Sequence, residues 1–290
     1  MMRLLLNAHP DVAVPPESRF IVELYEDRDP VDVDRFLERL SAHHQFRAWN
    51  LPIEEVAALL PEGTVPYARA VDAAYEAYAR RRGKTVWGDK TPRYIERIDL
   101  LDRLFPQARF VHMVRDGRNV ALSYAGVPFG PKTVARAAQL WARRVRAGLA
   151  WGRALGPARY LEVRYEDLVE DPAALERQAR RLCDFLQLPF DDSMLHYTEV
   201  ARGELLDKAD RLNPLLTKRP SGEARSWKAN MPSRQIEVFE SVAGDVLSAL
   251  GYERSYPSPG PRARIEAAVA LRGVPLGRLP KTPRSPMASP

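Results

Sequence analysis

Apolar positions along this chain fall into two rhythms, short continuous runs and longer helical stripes. Val12-Ala-Val14, Thr85-Val-Trp87, Arg109–Val114 and Tyr160–Val163 are short runs that end at proline or polar residues, the pattern of buried strands. Between them the apolar residues recur at helical spacing. Val134, Ala138, Trp141, Val145 and Leu149 mark one face of a long helix over Pro131–Leu155. Helices are also predicted over Met2–Ala8, most of Val31–Leu60 (Pro52 starting one piece), Tyr67–Arg82, Arg93–Leu104, Pro172–Leu188 and Ser233–Leu250. Their ends carry fitting punctuation. Asp171 suits an N-cap before Pro172, Arg80-Arg81-Arg82 suit a last turn, and Gly83 suits a C-cap.

Short strands alternating with longer helices predict an α/β fold, a parallel sheet flanked by helices on both faces. Ligands of such folds gather at the carboxyl ends of the strands. Glu17 follows the first run, Asp89 and Lys90 the second, Arg115 the third, and Arg164 and Tyr165 the fourth. These groups are expected to converge on one cleft.

The third run is the most informative. Phe110-Val-His-Met-Val114 breaks at Arg115-Asp-Gly-Arg-Asn119 and resumes as Val120-Ala-Leu122, followed by Ser123 and Tyr124. That is a strand, a polar turn and a helix start, and a helix start offers unpaired N–H groups to an anion. Arginine's planar fork suits phosphate oxygens. The plain alternative is Asp116 as a cap, with solvated arginines.

Composition narrows the class. The 290 residues are 45% hydrophobic and 28% charged, ordinary for a globular chain. Of the net charge of +6, the segment 255–290 supplies +5, from six basic residues against Glu266 alone, and it holds eight of the 25 prolines. The body is nearly neutral, which argues against a nucleic-acid partner. The predicted division is a domain over 1–254 and a basic, Pro-rich, mostly disordered tail over 255–290, with a short helix near Arg264–Leu271. Cys183, the single cysteine, lies in an apolar helical pattern and is expected in a core. Its thiol suits a reducing interior, and no signal segment is evident in Met1–Pro10, so a cytoplasmic location is expected. The apolar stretches are too short to span a bilayer. His43-His44 would point to different helix faces, as surface residues rather than ligands.

Taken together, the polar segments resemble a known family. Asn7-Ala-His-Pro-Asp11 with Pro16-Glu17, Trp87-Gly-Asp-Lys-Thr-Pro92, Val114-Arg-Asp-Gly-Arg-Asn-Val120 with Ser123, Arg164-Tyr-Glu-Asp-Leu168 and Ser226-Trp-Lys228 are similar, in this order, to the sulfotransferases, the tyrosylprotein sulfotransferases in particular. The resemblance covers roughly residues 1–250 and implies a P-loop-like fold. It implies transfer of a sulfuryl group from 3′-phosphoadenosine 5′-phosphosulfate (PAPS) to a hydroxyl or amine, without a metal. Arg115 and Ser123 would hold the 3′-phosphate. Arg225 and Lys228, favoured over Lys218 and Arg219, would serve a late loop that closes over the nucleotide, with Trp227 packing. Glu17 would be the general base, which calls for a carboxyl raised by burial. Lys90 would neutralise charge on the transferring group. His9 is the alternative base by chemistry, but its motif implies a structural role. Asp89 is expected to cap a turn or helix, and Tyr165 and Glu166 to seat the strand before them. Arg118 is left between helping the phosphate and lying on the surface.

The family also has a phosphosulfate loop of the kind Arg-Ser-Gly-Thr-Thr-Leu between a first central strand and a first helix. This sequence opens in what looks like the interior of that helix, so the first strand and loop are expected to be missing, either because the chain starts at an internal methionine or because it is truncated. A non-catalytic relative that binds nucleotide or acceptor without turnover therefore stays open. A kinase-like reading fails for want of a Walker lysine and its Ser/Thr. The acceptor, a small molecule, glycan, lipid or peptide, and the oligomeric state are not specified by the sequence. The helical region Val22–Leu60 is where acceptor specificity is expected, although Phe20, Tyr25, Phe36, Phe46 and Trp49 equally suit a core.

Overall fold

The first two predicted runs lie side by side as parallel strands. In a computed structural model describing residues 1–125, 130–199 and 226–272, the strands are β1 (Val12–Ala13), β2 (Val31–Asp32), β3 (Thr64–Val65), β4 (Val86–Trp87), β5 (Phe110–Val114) and β6 (Tyr160–Arg164). β1 pairs with β4 in parallel, Val12 opposite Val86 and Ala13 opposite Trp87. β5 pairs with β6 in parallel, from Phe110 opposite Tyr160 to Val114 opposite Arg164. The parallel sheet foreseen from the sequence is thus present as two short pairs among helices. β2 and β3, which the sequence reading missed, form an antiparallel pair.

Two compact units result, Met1–Ala108 with Leu175–Pro220, and Arg109–Ala174 with Ser221–Pro290. In the first, helix Met2–Ala8 leads into β1. Asn7 fixes that junction, its amide donating to Val14 O at 2.8 Å and accepting from Val14 N at 2.6 Å. Lys84 Nζ donates to the carbonyls of Asn7, His9 and Val12. A cation at the carbonyl-rich end of a helix is favourable. Helix Tyr67–Arg80 buries Ala70, Ala73, Ala74 and Ala77 and the rings of Tyr67, Tyr75 and Tyr78. Phe20, Phe36, Phe46 and Trp49 pack in the same core, so four of the five aromatics near the predicted acceptor region are core residues.

The predicted helical stretch 31–60 breaks into Val33–Ala42, His44–Arg47 and Ile53–Ala57. The break at His43 corrects the expectation for the histidine pair. His43 has extended backbone, φ −73° and ψ 123°, so the two rings do not diverge on a helix but stack at 5.1 Å, and His43 Nε2 meets Glu23 Oε2 at 3.0 Å. Arg93–Leu104 likewise divides at Arg97 into a 3₁₀ turn, Pro92–Glu96, and helix Ile98–Leu104.

In the second unit, helix Val134–Leu155 begins at Thr133, whose side chain caps Arg136 N. It packs on helix Ser233–Ala249, with the Trp141 and Phe239 rings 5.8 Å apart. The short helix foreseen within the tail runs over Pro261–Leu271, and its Ala263 and Ala267 are buried with Ala135 and Val238. In the first unit, Cys183 is buried, as expected, with its Sγ 3.4 Å from Met194 Sδ. No helix among the described residues is long and apolar enough to cross a membrane.

Candidate functional site

Parallel pairing of β1 with β4 carries two chain segments out side by side at their carboxyl ends, Val14–Ser18 and Gly88–Thr91. Glu17 and Lys90 meet there. Lys90 Nζ donates to Glu17 Oε1 at 2.7 Å, with side-chain exposures of 43% and 36%. The sequence reading called for a buried Glu17. It is instead half-exposed and ion-paired, because it follows the Pro15-Pro16 corner and stands out from the strand end.

Below the pair lies a buried polar network that the sequence reading did not find. Ser18 is fully buried. Its N–H donates to Thr91 Oγ1 at 3.1 Å and its Oγ donates to Asp89 Oδ2 at 2.6 Å. Tyr94, whose oxygen accepts from Ile21 N–H, lies 2.8 Å from Ser18 Oγ and donates to it. Tyr75 O–H donates to the same Asp89 Oδ2 at 2.6 Å. Asp89 is therefore no helix cap; it ties the β4 exit to the β1 exit. Burial pushes its carboxyl up, against the bonds from Ser18 and Tyr75 that pull it down. On the other side of Glu17, Pro16 O accepts from Trp49 Nε1 at 3.0 Å. Arg19 adopts φ 49°, a left-handed conformation that is costly for a residue with a Cβ. The legible signal was the strand-end rule for Asp89; nothing in the spacing marked Ser18, Tyr75 or Tyr94.

His9 is structural. Its Nδ1 accepts from Asp11 N–H at 3.1 Å, which leaves the proton on Nε2 to reach Pro189 O at 2.8 Å. Both ring nitrogens are thereby used, so it is no base.

The second unit repeats the strand-end logic. One residue beyond the Val114–Arg164 pair, the Arg115 guanidinium lies 4.3 Å over the Tyr165 ring. Its Nε is shielded from solvent and has no hydrogen-bond partner among the described residues. That fits a cation built to meet an anionic oxygen. Ser123, in the second turn of helix Gly117–Ala125, donates its hydroxyl to Asn119 O at 3.0 Å. Asp116 caps the helix, its Oδ1 accepting from Arg118 N–H at 2.9 Å. Glu166, in the short helix Tyr165–Val169 after β6, holds this turn, accepting from Asp116 N–H and from Tyr252 O–H, each at 2.9 Å. Arg164 turns to the same support, donating to Leu250 O at 3.2 Å over the Tyr252 ring.

Arg118 belongs to neither role weighed for it. It is buried, holds Asp116 at two points, reaches Glu240 Oε1 at 2.6 Å and Glu253 O at 2.8 Å, and covers the Trp227 ring at 3.6 Å. Trp227 packs, as expected, and its N–H donates to Asn119 Oδ1 at 2.8 Å. Lys228, next in the short helix Trp227–Asn230, is exposed and pairs with Glu253 Oε2 at 3.2 Å. Arg225, Lys218 and Arg219 lie outside the described residues. Among the described residues no group of three or more His, Cys, Asp or Glu is placed to hold a metal ion.

The sequence profile of the sulfotransferase family matches residues 1–192. The chain is 26% identical to a protein-tyrosine sulfotransferase of Drosophila melanogaster over 281 residues, 93% of this chain and 52% of that protein. It is 28% identical to nodulation protein NoeE of Sinorhizobium fredii, over 87% of this chain and 62% of the relative. Thus it spans about half to three fifths of the length of these relatives. Among solved structures, the sulfotransferase domain of the Synechococcus PCC 7002 olefin synthase superposes with a TM-score of 0.56 at 24% identity, covering 87% of this chain and 89% of that one. The sulfotransferase domain of the curacin biosynthetic pathway gives 0.56 at 19% identity, covering 87% and 93%. These likenesses concern the fold.

Proposed function

The chain belongs to the sulfotransferase family, and on that premise we propose that it moves a sulfuryl group from PAPS to a hydroxyl or amine acceptor. The observation that carries this reading is the Glu17–Lys90 pair at the carboxyl ends of two paired parallel strands. The proposed step is an in-line displacement. The acceptor oxygen or nitrogen bonds to sulfur, the bond from sulfur to the 5′-phosphate oxygen breaks, and the acceptor's proton passes to Glu17. Lys90 exchanges Glu17 for the sulfuryl and bridging oxygens, which leaves the carboxylate free to take that proton.

For the nucleotide, we assign the 3′-phosphate to Arg115 and Ser123. Support comes from the shielded Nε of Arg115 and from the Tyr165 ring that lies beneath its guanidinium. Lys228 and Arg225 complete the proposed donor contacts, Lys228 by leaving Glu253. The fly relative is named for protein tyrosine, so a tyrosyl peptide is the first acceptor to test, beside an oligosaccharide and a simple phenol. The experiment is transfer of radiolabelled sulfuryl from PAPS to that panel, alongside calorimetric titration with 3′-phosphoadenosine 5′-phosphate. Labelled product supports the enzyme reading. Nucleotide binding with no product from any acceptor supports the non-catalytic alternative.

A further inference from the structure

The residue after Glu17 is bonded to both residues that flank Lys90. Ser18 Oγ donates to Asp89 and Ser18 N–H donates to Thr91, while Lys90 itself reaches back to Glu17. We propose that Ser18 is a positioning residue, a latch that holds the Glu17 and Lys90 loops in register so that the carboxylate and the ammonium face one reacting centre. This rests on the reading of Glu17 and Lys90 as base and cation.

Geometry gives Ser18 this role rather than a general packing one. It is buried without being apolar, and its hydroxyl is used in one direction: Tyr94 O–H to Ser18 Oγ, Ser18 O–H to Asp89 Oδ2. The acceptor is itself fixed from a second side by Tyr75, out of helix Tyr67–Arg80. The Glu17 backbone is thus pinned before and after, at Pro16 by Trp49 and at Ser18 by the latch. A carboxylate on a half-exposed loop otherwise samples many rotamers, and loss of a fixed geometry far smaller than a side chain's length slows transfer steeply. The left-handed Arg19 beside it shows that the loop is held in a conformation it would not choose alone.

Ser18→Ala removes the side-chain bond of the latch, and Tyr75→Phe is its control, since it cuts a bond of the same 2.6 Å length to the same oxygen without touching the Glu17 loop. The first readout needs no turnover: the rate at which an amine-reactive reagent labels Lys90, followed by peptide mass spectrometry on the whole chain. Glu17→Gln, which deletes the ion pair directly, sets the unprotected rate. The expected result is that Ser18→Ala labels several-fold faster than wild type, approaching Glu17→Gln, while Tyr75→Phe labels at the wild-type rate although both lower the melting temperature. The second readout is transfer from PAPS, where Ser18→Ala is expected to lose about tenfold in kcat with donor KM unchanged. If Ser18→Ala does not fold, Asp89→Ala removes the acceptor of that bond from the other side, together with the Tyr75 bond for which Tyr75→Phe is the control. Lys90 labelling at the wild-type rate in Ser18→Ala, or no acceleration in Glu17→Gln, overturns the latch. Full turnover in Glu17→Gln overturns the base assignment instead, and the labelling result still judges the latch.

Discussion

Arg118 Nη1 donates to Glu240 Oε1 at 2.6 Å, and both side chains are closed to solvent, 1% and 0% exposed. The same guanidinium holds Asp116 at two points, so one buried cation answers two buried carboxylates. Glu240 in turn accepts from the backbone N–H groups of Ser255 and Tyr256. Removing the cation strands these carboxylates in a medium where unpaired charge is costly. Arg118→Ala is expected to destabilise the chain by about 3–5 kcal/mol, measured by urea unfolding. Arg118→Lys recovers a fraction, because an ammonium cannot make the two-point contact. An unchanged unfolding midpoint in Arg118→Ala would show that the network is not structural.

The glycine of the same turn is required by space. A Cβ on Gly117 would overlap the Trp141 indole and lie 2.6 Å from Phe239 Cζ. Gly117→Ala is therefore expected to cost about 1–3 kcal/mol by overpacking, seen as a lowered melting temperature. A melting temperature equal to wild type would mean that the helix shifts freely on Trp141.

Three buried tyrosines set the alkaline limit. Burial pushes the Tyr67, Tyr75 and Tyr94 phenols above their ordinary range. A raised folded value means the stability these groups contribute is full below the unfolded value, about 10, and is lost as pH rises past it. Near-ultraviolet tyrosinate absorbance and circular dichroism, followed together up the pH scale, are expected to show these phenols ionising with unfolding. Complete ionisation in a still-folded chain would contradict their burial.

Arg115→Ala tests the nucleotide half. Loss of charge-assisted bonds to a phosphate is expected to weaken binding of 3′-phosphoadenosine 5′-phosphate by about 2 kcal/mol, roughly thirtyfold, in a calorimetric titration. Unchanged affinity would remove Arg115 from the site.

Much of this was legible in the sequence for a physical reason. Strand runs, caps and Gly83 are local signals, and the strand-end rule by itself points to Glu17, Lys90 and Arg115. Local signals also located helix Val134–Leu155 to within three residues. What escaped depends on distance along the chain. Ser18 meets Asp89 71 residues away, and Arg118 meets Glu240 122 residues away. No spacing rule links such pairs, so Ser18 passed unnoticed and Arg118 was left between surface and phosphate. The exposure of Glu17 was missed for a similar reason. Its partner Lys90 lies 73 residues away along the chain.

Turnover of Glu17→Gln bears most directly on the proposed chemistry. Radiolabelled sulfuryl transfer from PAPS is measured for wild type and variant with the same acceptor, with nucleotide affinity measured in parallel. A positioned general base contributes about 10²–10⁴-fold, so the variant is expected to lose at least about a hundredfold in kcat while binding 3′-phosphoadenosine 5′-phosphate as wild type does. Transfer by Glu17→Gln at the wild-type rate would contradict the account.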